Sequence, residues 1–468
     1  MKNLFVMFAA LAAMAASCTP GVSVSTVTSF PTESSSVCYQ SNRAPLQREQ
    51  LIKLPTGSIK PEGWLLRQLE LQKDGLNGHL GEISIWLSKE DNAWLTDGGA
   101  WGWEEVPYWL RGYASLSYIF EDEAMLAEAR LWIDAILGSQ LENGNFGPSG
   151  RMLEPGENQD FWPNMIALWI LQDWYEYSGD ERVIPFMTRY CEYLLSVPDE
   201  QFLESYWENS RGGDNLWSVV WLYNRTGDER LIELGEKIHR NTADWAQADD
   251  LPNWHNVNMA QGIREPATYY LFNGREDMLQ ASYNSFELCR KDFGQVPGGM
   301  FGGDETCREG FIDPRQGTET CGFAEQMASD EIMALITADE KWFANCEDIA
   351  FNDYPAAFMP DYKALRYLTC PNMTVSDSEN HRPGIDNGGP FLAMNPFSSR
   401  CCQHNHGFAW PFYSEFLAMA TPDNGLAFGL YSACTVHAKV GAKADELVFK
   451  EETNYPFSDS ITISIESG

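Results

Sequence analysis

Apolar positions recur along most of the chain in the pattern of paired helices. Stretches such as 166–170 and 219–223 are apolar or aromatic nearly all round, which predicts buried helices. Each is followed by a short connector of helix-ending and charged helix-starting residues, and then by a second, amphipathic pattern. The connectors lie at 120–123, 179–182, 227–230, 274–277 and 338–340. The chain therefore predicts a series of helical hairpins.

The spacing of the connectors predicts the architecture. The middle connectors are about 48 residues apart, which accommodates two helices with their loops. Helical hairpins repeated at such a period build either an open solenoid or a closed toroid. The inner helices are apolar nearly all round and the loops are long and polar. We therefore expect a mainly α protein with a closed (α/α)6 toroid as catalytic domain at 51–433, and an open solenoid is the alternative.

The pattern changes after about residue 433. Ile461, Ile463 and Ile465 alternate with Thr and Ser, and the run 446–449 is also strand-like. Period-two alternation is typical of a half-buried strand. A few strands make no stable sheet alone, so we expect 434–468 to be the beginning of a β-sandwich domain that this sequence leaves incomplete.

The N-terminal residues predict export. Lys2 precedes an apolar run at 4–16 that is too short to span a bilayer, so 1–17 is predicted to be a signal peptide. The small residues before Cys18 resemble a bacterial lipoprotein box, and ordinary signal-peptidase cleavage is the alternative. The Ser- and Thr-rich segment that follows makes 18–50 a predicted flexible tether. We expect a lipoprotein of the bacterial cell envelope, in the periplasm or on the outer-membrane surface, whose only membrane contact is a lipid anchor at Cys18.

Composition narrows the class of partner. The formal net charge is −35, and such an acidic surface repels phosphate backbones, so no nucleic-acid partner is expected. The chain has 17 Trp, 19 Tyr and 25 Phe. Most of these aromatic residues are needed for a large core, but rings at a protein surface also stack on sugars. An oligosaccharide or glycan substrate fits both properties.

Polar and aromatic residues recur where the predicted inner helices begin. Taken singly, Asp and Asn at such positions are ordinary helix caps. Several such loops at one end of a toroid would instead place carboxylates, amides and Trp rings around a polyhydroxylated ligand. The candidate substrate-binding residues are Trp103, Glu104, Asp160, Trp162, Asn164, Asp214, Asn215, His255, Asn256 and His404.

Two cysteine motifs are the most specific indication of the chemistry of the site. Glu319 and Cys321 form a Glu-x-Cys, and Cys401 and Cys402 are adjacent. Three thiolates and one carboxylate are a tetrahedral donor set for Zn²⁺. Disulfides, buried free thiols and a purely structural zinc are the alternatives for cysteines of an exported protein.

These motifs carry a family resemblance. The acidic loop at 302–311, the Glu-x-Cys and the stretch Arg-Cys-Cys-Gln-His-Asn at 400–405 resemble the β-L-arabinofuranosidase family, glycoside hydrolase family 127 and its close relatives, from about residue 51 onward. The resemblance implies a Zn²⁺ held by Glu319, Cys321, Cys401 and Cys402, with Cys401 as nucleophile. The family's acid/base is a Glu upstream of the Glu-x-Cys; Glu309 is the nearest match and Glu305 is its rival.

The implied activity is that of a retaining, exo-acting glycoside hydrolase that releases β-L-arabinofuranose or a related L-furanoside from plant glycans. A thiolate on one side of the anomeric carbon and a carboxylic acid on the other suit that reaction. Two other classes stay open at this point. One is a polysaccharide lyase on a similar toroid, which could use His255, His404 or Tyr269 to abstract a proton. The other is a non-catalytic surface glycan-binding lipoprotein.

Overall fold

The computed structural model describes residues 35–148, 160–247, 249–381, 384–386, 389–397 and 400–466. The predicted signal peptide, Cys18 and the tether up to residue 34 lie outside these ranges. Within them, no helix has both the length and the apolar character needed to cross a bilayer.

Helices make up most of the described chain. The α-helices are α1 (Gly63–Asp74), α2 (Leu76–Ile83), α3 (Glu105–Phe120), α4 (Glu123–Gly138), α5 (Trp162–Ser178), α6 (Val183–Ser196), α7 (Tyr206–Arg211), α8 (Gly213–Thr226), α9 (Arg230–Asn241), α10 (Asn256–Gly262), α11 (Arg264–Asn273), α12 (Glu276–Phe293), α13 (Thr320–Thr337), α14 (Glu340–Asp348), α15 (Tyr354–Ala356), α16 (Arg400–Asn405) and α17 (Ala409–Glu415).

The inner helices close into a ring. In order around it, α3 packs on α5, α5 on α8, α8 on α11, and α10 with α11 on α13; α13 then packs on α16 and α17, which return to α3. The helices α4, α9, α12 and α14 each pack on the outside of the inner helix that precedes them. The (α/α)6 toroid predicted from the connectors is therefore confirmed, and the open solenoid is wrong.

The connectors act as the pattern predicts. Gly179, Gly227 and Gly274 end α5, α8 and α11 with φ values of 70°, 67° and 65°. This left-handed conformation is where glycine is favoured over residues with a Cβ. Each turn reverses the chain, so the inner helices all begin at one end of the toroid.

Short strands complete the fold. They are β1 (Ile52–Lys53), β2 (Ile59–Pro61), β3 (Thr318–Glu319), β4 (Leu368–Thr369), β5 (Ala418–Ala420), β6 (Leu426–Phe428), β7 (Cys434–Val440), β8 (Asp445–Thr453) and β9 (Ile461–Glu466). They form three sheets with the orders β1-β5-β6, β2-β7-β8-β9 and β3-β4. All of their pairings are antiparallel.

Segments from the two halves of the described chain share one sheet. The predicted strands at 446–449 and 461–465 are present in β8 and β9, and β2 joins their sheet by pairing with β7. The described part of the predicted tether packs against the helices. Leu46 and Glu49 are buried, and the backbone N–H of Arg43 donates to Asn224 Oδ1 at 3.0 Å.

Candidate active site

The two cysteine motifs meet at one end of the toroid. Glu319 is the last residue of β3, and Cys321 follows it in the first turn of α13. Cys401 and Cys402 lie in the first turn of α16. One donor atom from each of the four residues lies within 4.8 Å of the others. Residues 80 positions apart in the sequence therefore form a single group.

The geometry of this group fits a tetrahedral metal ion. The Sγ atoms of Cys401 and Cys402 are 4.0 Å apart, and they lie 3.5 Å and 3.3 Å from Glu319 Oε1. Ligands at zinc bond lengths sit about 3.5–3.8 Å from one another in a tetrahedron. No described cysteine forms a disulfide. Within the described chain, the geometry therefore favours a metal site over cross-linked thiols.

The ionised forms of these side chains are disfavoured by burial unless a positive charge lies nearby. Glu319, Cys321 and Cys402 are almost fully buried, and burial raises the pKa of each well above its ordinary value. The charge of Cys401 raises the pKa of Glu319 further. Glu319 Oε2 is buried and has no hydrogen-bond partner among the described residues. A divalent cation would compensate charges that the protein interior otherwise disfavours.

Glu305 lies beside this group. The carboxylate oxygens of Glu305 and Glu319 and a ring nitrogen of His255 lie within 4.8 Å of one another. The loop that carries Glu305 is fixed by its backbone, because the Glu305 carbonyl accepts a 2.8 Å hydrogen bond from the backbone N–H of Asn256. Tyr367 donates its hydroxyl to Glu305 Oε1 at 2.8 Å, and His255 Nε2 lies 3.8 Å from the same oxygen. The interaction with His255 and the hydrogen bond from Tyr367 lower the pKa of Glu305.

Glu309 lies elsewhere. Its side chain is exposed in the turn after Cys307 and belongs to neither of the two groups of the described chain that could hold a metal ion. The neighbouring Arg308 pairs with Asp304 at 3.2 Å and with Asp386 at 3.6 Å. Of the two carboxylates that the sequence leaves open, the structure brings Glu305 to the cysteines.

A second carboxyl group, that of Glu104, interacts electrostatically with Cys401. Glu104 is buried and accepts a 2.6 Å hydrogen bond from Trp162 Nε1, and Arg211 Nη1 lies 4.0 Å from it. Burial, with a smaller contribution from the charge of Cys401, raises the pKa of Glu104 to about 8. Glu104 is therefore protonated at neutral pH, so it can both donate and accept a hydrogen bond.

Trp103 and Asp160 are joined at the same end. Trp103 Nε1 donates to Asp160 Oδ2 at 2.6 Å, and Asp160 Oδ1 accepts from the Trp162 N–H at 3.1 Å. Arg400, the residue before Cys401, contacts Glu105 and lies 5.4 Å from the centre of the Trp103 ring. These contacts connect the loop before α3, which carries Trp103, to α16, which carries Cys401 and Cys402.

The other predicted substrate-binding residues make contacts inside the protein. Asn164 donates to Phe146 O at 2.8 Å, and Asp214 accepts from Arg264 Nε at 2.9 Å. Asn256 donates to Phe301 O at 3.4 Å, and His404 Nε2 lies 2.7 Å from Ser84 Oγ. Asn215 is fully buried. Such contacts hold neighbouring elements together. They are not helix caps, because α5, α8 and α10 begin without a side-chain cap hydrogen bond among the described residues.

Several residues near the site are not among the candidates that the sequence motifs indicate. They are Tyr367, Arg211, Arg400 and Trp207, whose ring packs 5.3 Å from that of His255. Arg400 stands inside the recognised stretch 400–405, and Arg211 lies three residues before the candidate Asp214, so their positions were a usable signal. Tyr367 had none, because only the pairing of β4 with β3 brings it to Glu305.

A family model described as the GH127 catalytic domain of β-L-arabinofuranosidases matches residues 31–415. A search of curated proteins finds no match. Among solved structures, a GH127 β-arabinofuranosidase matches with TM-score 0.68 and 14% identity over 90% of this chain and 70% of its own.

Two further structures bear on the fold. A GH127 β-L-arabinofuranosidase from Geobacillus stearothermophilus T6 matches with TM-score 0.70 and 16% identity, over 87% of this chain and 72% of that one. A polysaccharide lyase matches with TM-score 0.52 and 13% identity, over 76% and 98% of the two chains. At such identities the likeness concerns the fold alone, which these enzyme classes share.

Proposed function

The chain belongs to the GH127 family of β-L-arabinofuranosidases and is a glycoside hydrolase, and we propose that it is an exo-acting, retaining enzyme with Cys401 as nucleophile. The proposed substrate is a β-L-arabinofuranoside or a related L-furanoside at the end of a plant glycan. The observation that carries the proposal is the placing of Glu305 beside the group that contains Cys401. A retaining hydrolase needs one nucleophile and one acid/base on opposite sides of a single sugar.

The metal of this proposal is Zn²⁺. Glu319, Cys321, Cys401 and Cys402 would hold it, and their distances support that assignment. Bound there, Zn²⁺ would supply the positive charge that keeps the sulfur of Cys401 ionised.

In the first step, the Cys401 sulfur attacks the anomeric carbon. A carbon–sulfur bond forms while the glycosidic carbon–oxygen bond breaks, and the Glu305 carboxylic acid gives its proton to the departing oxygen. The proximity of ionised Cys401 raises the pKa of Glu305, against the larger effect of His255 and Tyr367. The free carboxyl group is therefore ionised, and we propose that it takes up a proton when a bound sugar displaces water, because loss of water raises the pKa of a carboxyl group.

In the second step, Glu305 acts as a base. Its carboxylate takes a proton from water, the water oxygen attacks the anomeric carbon, and the carbon–sulfur bond breaks to restore Cys401. The lowered pKa keeps Glu305 ionised for this step, because His255 and Tyr367 stabilise the charged carboxylate. Two inversions give overall retention.

Residues around the cysteines would hold the sugar. Glu104 is protonated at neutral pH and can donate to a ring hydroxyl. Trp103 supplies a partly exposed ring at the same end. Carboxyl groups and aromatic rings together are the usual surroundings of a polyhydroxylated ligand.

Product analysis tests the reaction class. A panel of arabinofuranosides and pectic oligosaccharides is incubated with the enzyme and the first-formed anomer is followed by NMR. We expect β-L-arabinofuranose, or the related L-furanose, to appear first with retained configuration. An inverted first product would overturn the Cys401 mechanism, and unsaturated products with ultraviolet absorbance would indicate a lyase. Binding without any product would indicate a glycan-binding protein.

We also propose that the protein is an envelope lipoprotein with no nucleic-acid partner. The N-terminal apolar run, Cys18 and the net charge of −35 support this. In a bacterial host, Cys18→Ala should move the protein from the membrane fraction to the soluble fraction. An unchanged distribution would contradict the lipid anchor.

A further inference from the structure

Three buried polar residues lie one helical turn behind the two cysteine motifs. Glu325 follows Cys321 by four positions on α13, and Asn405 follows Cys401 by four positions on α16. Positions four apart lie on the same face of a helix, about 6 Å apart along its axis. Glu325 and Asn405 therefore extend the helix faces that carry the cysteines. The third residue, Arg111 of α3, contacts both of them.

Arg111 joins the two helices through one nitrogen atom. Its Nη2 donates to Glu325 Oε1 at 2.7 Å and to Asn405 Oδ1 at 2.8 Å. Asn405 Nδ2 also donates to that oxygen of Glu325, at 3.2 Å. All three side chains are almost fully buried, so water does not compete for these contacts. We call these three residues the Arg111 bridge.

The bridge starts from a close contact between α3 and the chain that leaves α16. A Cβ atom on Gly112, next to Arg111, would lie 2.4 Å from the backbone carbon of Gly407, where two carbon atoms pack best at about 3.5–4.0 Å. The guanidinium carbon of Arg111 lies 3.5 Å from the centre of the Phe408 ring. Arg111 therefore extends to α13 from a backbone that already lies directly against residues 407–408.

The bridge contains a buried ion pair. Burial raises the pKa of Glu325, but Arg111 and Arg264 lower it by more, to about 2, so the carboxylate is ionised at neutral pH. Attraction within a buried ion pair is largely offset by the lost hydration of both charges, so such a pair adds little net stability. Its hydrogen bonds are nevertheless directional. They fix the distance between α13 and α16.

The short helix α16 depends on outside support of this kind. It has six residues, less than two turns, and helices of that length are marginal on their own. It carries Cys401 and Cys402, while Cys321 lies on α13. A shift of about 1 Å between the helices would change the distances between their sulfur atoms by a similar amount, whereas metal–ligand distances stay within about 0.2 Å of their usual values.

We propose that Arg111 is a positioning residue, which sets the distance between α13 and α16 and so holds Cys321, Cys401 and Cys402 at the separation that a tetrahedral metal ion requires. Asn405 is the point at which Arg111 holds α16. The inference rests on the metal site proposed above, and it assigns to these two residues a role that acts through the helices.

Metal binding by the whole protein tests the bridge, with Zn²⁺ and Co²⁺ as probes. Asn405→Ala breaks the link to α16, changes no charge and keeps the pair of Arg111 with Glu325. It should weaken Zn²⁺ binding, measured by competition with a chelator of known affinity, by about tenfold or more, as loss of residues that orient metal ligands does elsewhere. The visible spectrum of bound Co²⁺, which reports tetrahedral coordination, should change. Arg111→Met should have the same two effects.

Arg225→Met is the matched control. Arg225 also pairs with a buried carboxylate, that of Glu176 at 2.7 Å, but it lies in the last turn of α8, at the end of the toroid opposite the cysteines. This variant should lower the melting temperature of the metal-free protein and leave Zn²⁺ affinity and the Co²⁺ spectrum unchanged. Thermal unfolding of each metal-free variant shows which of them are folded.

Three outcomes would overturn the positioning role. One is wild-type Zn²⁺ affinity with a wild-type Co²⁺ spectrum in folded Asn405→Ala protein. Another is an equal loss of affinity in Arg225→Met, which would show a general effect of stability. The third is wild-type protein that binds no Zn²⁺, which would overturn the proposed metal site as well, so that failure of the bridge alone and failure of the site are distinguishable.

Discussion

The hydroxyl of Tyr367 donates a 2.8 Å hydrogen bond to Glu305 Oε1, and this contact fixes the carboxylate next to the cysteine group. Tyr367 precedes β4, and Glu319 pairs with Leu368 of that strand. The strand pair thus sets the acid/base candidate, the carboxylate ligand and the tyrosine relative to one another. Glu309 has no such support, because its side chain lies exposed in a turn.

Glu305→Gln should lower turnover of natural glycosides by about 10²–10⁴-fold, the usual contribution of a general acid/base. The loss should be much smaller in the first step on aryl glycosides, whose leaving groups need little protonation. Steady-state and burst kinetics on both substrate types measure this. Glu309→Gln is the matched control and should keep wild-type rates. A strong loss in Glu309→Gln with an active Glu305→Gln would return the role to Glu309.

Cys401→Ser should reduce turnover by a factor on the order of 10⁴–10⁶, as loss of a covalent nucleophile does elsewhere. A hydroxyl is a far weaker nucleophile than a thiolate at neutral pH. A bromoacetamide-bearing sugar should label Cys401 alone, and substrate should block the labelling. Mass spectrometry of the peptides locates the label. Labelling at Cys402 or Cys307, or appreciable activity of the serine variant, would reject Cys401 as nucleophile.

Purified protein should contain one Zn²⁺ per chain. At a free metal concentration of 1,000 times the Kd, metal binding stabilises the folded state by about 4 kcal/mol. A chelator should therefore lower the melting temperature as well as the activity. Cys321→Ser should lose the metal, while Cys370→Ser, outside the group, should retain it. Elemental analysis and thermal unfolding provide the two readouts. Protein that is fully active without any bound metal would show that the four residues do not hold a metal that the activity needs.

The pKa of Glu104 predicts a pH dependence. Burial raises this pKa from 4.5 to about 8, so activity should fall as the pH rises through that value. Ionised Glu104 would repel the thiolate and lose its donor hydrogen. The folded state also keeps a proton that the unfolded chain releases, so stability should decline between those two pH values.

Glu104→Gln, which keeps a neutral donor, tests both effects. It should lack the alkaline decline in activity, and its melting temperature should vary less with pH than that of the wild-type protein. Profiles of kcat/KM and of thermal unfolding against pH measure this. An alkaline limb that persists unchanged in the variant would assign the titration to another group.

The sequence by itself determined the helical hairpins and the metal-ligand candidates. Both signals are local. The glycine connectors require a left-handed conformation that few other residues adopt, and a Glu-x-Cys or a Cys-Cys pair presents its donors from a few neighbouring positions. The alternation at Ile461, Ile463 and Ile465 is local in the same sense, since it reflects the two faces of one strand.

Only the tertiary structure decided which carboxylates face the cysteines. Glu305 and Glu309 are four residues apart, and the family resemblance pointed to Glu309 as the nearest match. The loop direction is set by hydrogen bonds to Asn256 and by Tyr367, both distant in the chain. The raised pKa of Glu104 depends likewise on burial by elements that close the ring. Burial and long-range pairing arise only when the ring closes, so no local pattern could have predicted them.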